Sequence, residues 1–207
     1  DKAFLNEASH LRAELQPVLP IFRALEEACE VHIAAAQQVQ YKRIEMVVGV
    51  SAAAARLPEC CLCPCKEGAQ GGIAPENVPL LRRQKATVLL LGPGLGGTAQ
   101  SAARATETRT LVQQLLPGFA GAAVLDADGL NAAASLMNGG EELPRPAKEL
   151  ILTPHPGEMS RLTGLSVEAV QADREGIARR YAAQWNAVVV LKGSATVIAG
   201  PDGRCVV

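Results

Sequence analysis

The sequence predicts an α/β protein built on a mainly parallel sheet with helices on both faces. From residue 79 onward, short apolar runs of strand length alternate with longer stretches of helical period, the order produced when each strand is followed by a crossover helix. Each of these runs also breaks off into glycine or small polar residues, so that successive strands end alike. At the far end, Gly200-Pro201-Asp202-Gly203 separates two short pieces with a strong turn signal, which predicts a C-terminal β-hairpin.

The pattern is least regular at the start. Leu5, Ala8, Leu11 and Leu15 share one face over 2–16, predicting an amphipathic helix, and Pro17 and Pro20 interrupt it. Phe22, Leu25, Ala28 and Ile33 restore the helical period from 21 to about 40, where His32 reads as an ordinary helix residue, as does His10 in the first helix. Residues 44–50 have the length and polarity of a buried strand, and 51–57 fit a helix or a loop. Residues 58–78, rich in Pro, Cys and Gly, predict a surface loop. Residues 1–78 are therefore taken as a helical and loop-bearing part of the same domain, and 79–207 as its α/β core. Within that core, strands are predicted at 87–91, 122–125, 150–152 and 187–191. Helices are predicted at 98–116, 130–137, 157–162 and 167–184, and hairpin strands at 196–199 and 204–207.

Composition narrows the possible functions. A chain of 207 residues that is 48% hydrophobic and 20% charged can bury one sizeable core, and its 3% aromatic content leaves no stacking platform for bases. Twenty basic against 21 acidic side chains provide no field for a nucleic-acid backbone or an anionic membrane. The sequence contains no apolar run long enough to span a bilayer and no signal-peptide pattern, so a cytoplasmic protein is expected. The start at Asp1 without Met suggests a preceding segment, which could have carried an organellar targeting signal. Cys60, Cys61, Cys63 and Cys65 crowd together, but adjacent thiols converge poorly on one tetrahedral ion; reduced thiols in a surface loop are expected, and no protein-held metal site.

The stretch 151–164 organises the rest. An apolar strand ends at Leu152, Pro154 and Pro156 stiffen the loop that follows, and Glu158 enters the first turn of a helix at the positive end of its dipole. Three other strand ends match it: Gly92-Pro93-Gly94-Leu95-Gly96-Gly97, then Asp126, Asp128 and Asn131, then Lys192-Gly193-Ser194-Ala195-Thr196. Lined up along one crevice, they offer what a phosphorylated ligand requires: glycine backbone, carboxylates for Mg²⁺, helix N–H groups and a lysine. Plainer readings stand beside these. The glycine loop fits a tight turn, Asp128 fits an N-cap, Lys192 fits an ordinary strand-end lysine and His155 fits a turn stabiliser. A dinucleotide-binding Rossmann site is disfavoured, because residues 111–117 lack the acid that would grip a ribose.

Leu-Gly-Pro-Gly-Leu-Gly (91–96), Val-Leu-Asp-Ala-Asp-Gly-Leu-Asn (124–131), Leu-Thr-Pro-His-Pro-Gly-Glu-Met (152–159) and Val-Leu-Lys-Gly-Ser-Ala-Thr-Val-Ile (190–198) stand in the order and spacing of the ADP/ATP-dependent NAD(P)H-hydrate dehydratases. The resemblance covers about 79–207 and implies a ribokinase-like fold. It also implies a metabolite-repair lyase that phosphorylates hydrated NADH or NADPH and expels phosphate, with ATP or ADP and Mg²⁺ as cofactors. It would place Gly94, Gly96, Asp126, Asp128, Asn131 and His155 at the hydrated substrate, and Lys192, Gly193, Ser194, Ala195 and Thr196 at the nucleotide. The family's Gly-Gly-Thr-Gly-Asp segment, whose aspartate activates the acceptor hydroxyl, would follow the hairpin, but the sequence stops at Val207. The catalytic base is thus unassigned, and ligand binding with negligible turnover is expected of these 207 residues. No counterpart of the family's glycine-rich opening is evident before residue 79. A vitamin-precursor kinase of the same fold and a non-catalytic nucleotide-binding module are the alternatives, and association into a homo-oligomer is left open.

Overall fold

The computed structural model describes residue 63 and residues 65–84, 86–97 and 99–207, and every structural statement below concerns these residues. The helices expected over 2–16 and 21–40, the strand over 44–50, both remaining histidines and Cys60 and Cys61 lie outside them. The described elements belong to the compact unit 65–207. Four strands, β1 (Val88–Leu91), β2 (Ala122–Leu125), β3 (Leu150–Leu152) and β4 (Val188–Leu191), run parallel in sequence order. The hairpin strands β5 (Val197–Ala199) and β6 (Cys205–Val206) continue the same sheet antiparallel, as the turn signal predicts.

Register fixes where the strands end. Leu91 is level with Leu125, Leu125 with Leu152, and Leu152 with Val189, so the loops after β1 to β4 emerge along one rim. The connections are α2 (Ala102–Leu115), α3 (Asp128–Asn138), and then α4 (Pro156–Thr163), α5 (Val167–Ala172) and α6 (Arg174–Trp185). With the strands in sequence order, crossovers of the usual right hand place these helices on one face, and α2 packs on α3 and α3 on α4. That face buries Leu91, Leu125, Leu152, Val189 and Leu191 against Leu111, Leu130 and Met159 of the helices. Side chains of the opposite face, Val124, Ile151 and Val190, are buried as well. Burial on both faces explains why these strands read as continuous apolar runs instead of alternating ones.

Several expected boundaries move for identifiable reasons. The surface loop expected over 58–78 is ordered where it is described: Glu67 bridges Ile73, Pro75–Asn77 forms a 3₁₀ turn, and α1 follows at Val78–Arg82. Buried Asn77 makes this possible, since its amide pairs with both the N–H and the carbonyl of Lys66 and with the carbonyl of Ala74. Cys63 is exposed and Cys65 half-buried. The single helix expected over 167–184 breaks at Asp173, whose backbone (φ −140°, ψ 68°) is not helical and whose carboxylate accepts the Gly176 N–H at 2.9 Å. Asp128 is not an N-cap; Ala127 holds that position, and Asp128 is the first helical residue. No described helix is long and apolar enough to cross a membrane.

Candidate active site

The loop after β1 is shaped by glycine. Gly92 (φ +139°) passes so close to β2 that a Cβ would overlap the Asp126 carbonyl oxygen, and a Cβ on Gly129 would overlap that of Leu91. The two strand ends are therefore interlocked through backbone alone. Gly94 (φ +76°) is exposed, and a Cβ there would meet nothing within 4 Å, which leaves its peptide open to an approaching ligand. Helix α2 secures the rest of the loop: Arg104 Nε donates to the Leu95 carbonyl at 2.7 Å, and Thr108 Oγ1 to that of Gly96 at 2.6 Å.

Asp128 joins this loop to the next strand end, since its Oδ2 accepts the Gly96 N–H at 2.8 Å. Ala127, between the two aspartates, is held at φ 47° and ψ −119°, and the Gly129 N–H closes the turn on the Asp126 carbonyl at 2.9 Å. Such a conformation is costly for a residue with a Cβ, and it points the neighbouring carboxylates apart: Asp128 toward the glycine loop, Asp126 toward β4. Lys192 meets Asp126 there, Nζ to Oδ1 at 2.6 Å, while its own backbone N–H donates to the Pro154 carbonyl at 2.8 Å. Its side chain remains 41% exposed, so the ammonium can serve a ligand without leaving its carboxylate.

His155 is both the N-cap of α4 and a member of the rim. Its Nδ1 accepts the N–H groups of Gly157 at 3.0 Å and Glu158 at 3.3 Å, and Glu158 Oε2 accepts the His155 N–H at 2.8 Å, a reciprocal capping box. With Nδ1 accepting, the ring proton sits on Nε2, which lies 3.5 Å from Glu158 Oε1. Glu158 Oε2 is also 4.0 Å from Lys192 Nζ. Burial raises the Glu158 pKa above its ordinary value, against the lowering pull of the His155 backbone N–H and then of Lys192. The result is a chain of ionisable side chains, Asp126–Lys192–Glu158–His155, across three strand ends.

Most of the residues singled out in the sequence come together here. Gly94, Gly96, Asp126, Asp128, His155 and the segment from Lys192 to Thr196 occupy one rim, with Ser194, Ala195 and Thr196 exposed on it. Asn131 stands apart from the ionisable chain: it lies one turn into α3 and its Oδ1 accepts from Arg161 at 3.1 Å. A cavity of about 210 Å³ opens beside it, lined by Gly96, Gly97 and Asp128 with parts of α2 and α3. A larger hollow of about 570 Å³ lies between α1 and α2, touches none of these residues and plays no part in the site. Sequence reasoning passed over Glu158 as a site member, although a residue at N3 that can reciprocate a cap is a readable signal. No local pattern marks Arg104 or Arg174, because each acts from a helix on the loop of a different element.

The residues present fit a magnesium nucleotide. The carboxylates of Asp126 and Glu158 are hard oxygen donors beside a lysine, suited to Mg²⁺ that keeps most of its waters and is held chiefly by phosphate.

Comparison with known proteins identifies the family. The family model described as NAD(P)H-hydrate dehydratase matches residues 33–207, extending the likeness well upstream of residue 79. A bifunctional NAD(P)H-hydrate repair enzyme of Moorella thermoacetica is 46% identical over 129 residues, 61% of this chain and 22% of that protein. An ADP-dependent (S)-NAD(P)H-hydrate dehydratase of Neisseria meningitidis is 42% identical over 123 residues, 59% of this chain and 39% of its own length. Among solved structures, the ADP/ATP-dependent NAD(P)H-hydrate dehydratase of Bacillus subtilis, co-crystallised with ATP/Mg²⁺ and soaked with CoA, superposes with a TM-score of 0.56. Its identity is 30%, over 76% of this chain and 50% of that one. The chain thus spans half or less of the length of these relatives.

Proposed function

Because the chain belongs to the NAD(P)H-hydrate dehydratase family, we propose that its protein repairs hydrated NADH or NADPH at the expense of ADP or ATP. The terminal phosphoryl group passes to the ring hydroxyl, and the nucleotide departs one phosphate shorter. The hydroxyl oxygen forms a bond to phosphorus and gives up its proton; the ring C–O bond then breaks, phosphate leaving with that oxygen, the adjacent carbon loses a proton with the ring nitrogen lone pair assisting, and the double bond returns. The observation that supports this most is the ionisable chain Asp126–Lys192–Glu158–His155 beside an open glycine loop.

Phosphoryl transfer asks little covalent chemistry of a protein and much alignment and charge neutralisation. Lys192 supplies a cation to the transferring phosphoryl oxygens, and the Lys192–Thr196 loop takes the nucleotide. His155 presents its Nε2 proton to the hydrate or its phosphate, with Glu158 fixing the ring. The peptides of Gly94 and Gly96 and the carboxylates of Asp126 and Asp128 line the hydrate side, with Asn131 at its far margin. Asp126 and Glu158 are the residues that would hold Mg²⁺ accompanying the nucleotide, whose chemistry would be neutralisation of phosphate charge.

The test is incubation of the full-length gene product with hydrated NADH, Mg²⁺ and ADP or ATP. Return of dihydronicotinamide absorbance with stoichiometric phosphate release is expected. Build-up of a stable phosphorylated product would instead make the protein a kinase, and no reaction with any nucleotide would sink the reading. Lys192→Ala should lower kcat/KM by about 10²-fold, the order of loss for one oriented charge donor.

A further inference from the structure

We propose that Arg174 is a positioning residue for the nucleotide, holding the 192–196 loop in its binding shape before the nucleotide arrives. The inference rests on the reading of that loop as the nucleotide site. Arg174 opens α6, directly after the Asp173 cap, and its side chain reaches back to β4. One nitrogen, Nη2, donates to the carbonyls of Leu191 at 2.9 Å and Ala195 at 2.8 Å, so a single guanidinium spans the loop from strand end to far side. Nη1 donates to Gln171 Oε1 at 3.1 Å, which fixes the plane of the fork.

Gly193 completes the arrangement. A Cβ at this position would overlap the Arg174 guanidinium, so the loop backbone lies directly against that group. Beyond the Lys192 ammonium, which is held by Asp126, the loop's side chains add a hydrogen bond from Thr196 Oγ1 to the Gly193 carbonyl at 3.2 Å. The arginine therefore ties the exposed far side of the loop, at Ala195, to the end of β4, while Lys192 anchors its near end through Pro154 and Asp126. Lysine replaces it only in part, because a flexible ammonium lacks the second nitrogen of the planar guanidinium, here Nη1 on Gln171 Oε1, that fixes the direction of the donor to the loop. Without the clamp, the cost of ordering the loop is transferred to nucleotide binding, whereas the hydrate, bound at the other strand ends, is unaffected.

The experiment is calorimetric titration of ADP into the full-length protein and its Arg174→Gln, Arg174→Lys and Gly193→Ala variants, with KM measured separately for the nucleotide and the hydrate. A roughly tenfold weaker Kd for ADP is expected in Arg174→Gln and Gly193→Ala, the equivalent of ordering about one further residue, with only partial recovery in Arg174→Lys. KM for the hydrate should stay at the wild-type value at saturating nucleotide. Wild-type ADP affinity in folded Arg174→Gln, or equal loss of both substrates in all variants, would overturn the proposal. A wild-type protein that binds no adenine nucleotide would overturn the reading of the loop itself, and the proposal with it.

Discussion

Ala127 carries backbone strain between two aspartates that face different ways. Its φ of 47° belongs to the region glycine prefers, and holding a Cβ there costs about 1–3 kcal/mol. Ala127→Gly removes that cost but adds unfolded-state entropy worth about 0.4–1 kcal/mol, so a net gain of about 1 kcal/mol is expected in urea denaturation. Unchanged or lower stability would show that the conformation is not strained. Glu158 gives a pH prediction. Its folded pKa is raised by burial, so the folded state holds the proton more tightly, and the contribution of this group to stability is greatest below its ordinary value of 4.5 and is lost as pH rises through the raised value. Glu158→Gln keeps an acceptor for the His155 N–H and does not titrate. The stability of the variant relative to wild type should therefore improve as pH climbs above 4.5, and the opposite slope in melting experiments would contradict the burial argument.

At the scale of elements, the informative places are where helices start and stop. The break at Asp173 lets α6 begin where Arg174 can reach the loop after β4, so the cap and the clamp belong to one device. Asp173→Ala should cost about 1 kcal/mol, the usual loss for an N-cap, and a loss near zero in thermal denaturation would mean the cap contributes nothing. Gly92→Ala should cost about 2–4 kcal/mol, since it adds both a positive-φ penalty and an overlap with the Asp126 carbonyl. The strands and the hairpin were legible in the sequence because buried parallel strands are uniformly apolar and turns demand particular residues. The 65–78 segment was not: its order depends on the Asn77 amide standing in for a ladder, and no periodicity announces that. The break at 173 was hidden for a related reason, since the apolar period continues across it.

Over the described molecule as a whole, one parallel sheet with level strand ends explains why residues so far apart in the chain share a rim. Leu152, fully buried at the end of β3, anchors both the core and the His155 loop, and Leu152→Ala should cost about 2–5 kcal/mol in equilibrium unfolding. A loss below 1 kcal/mol would mean that the sheet is not the scaffold of the site. The β6 amides, paired to β5 alone, should exchange with solvent faster than those of β2 to β4, as hydrogen-exchange mass spectrometry can measure.

The sequence by itself determined the α/β class, the position of the strand ends and the residue types that gather there, because apolar periodicity and turn chemistry are local properties of the chain. Only the tertiary structure decided that Asp126 pairs with Lys192, that Glu158 orders His155, and that Arg174 braces a loop on a neighbouring strand. Those choices depend on distances between segments that no local pattern encodes; they are set when the sheet closes its register and brings the charges within reach of one another.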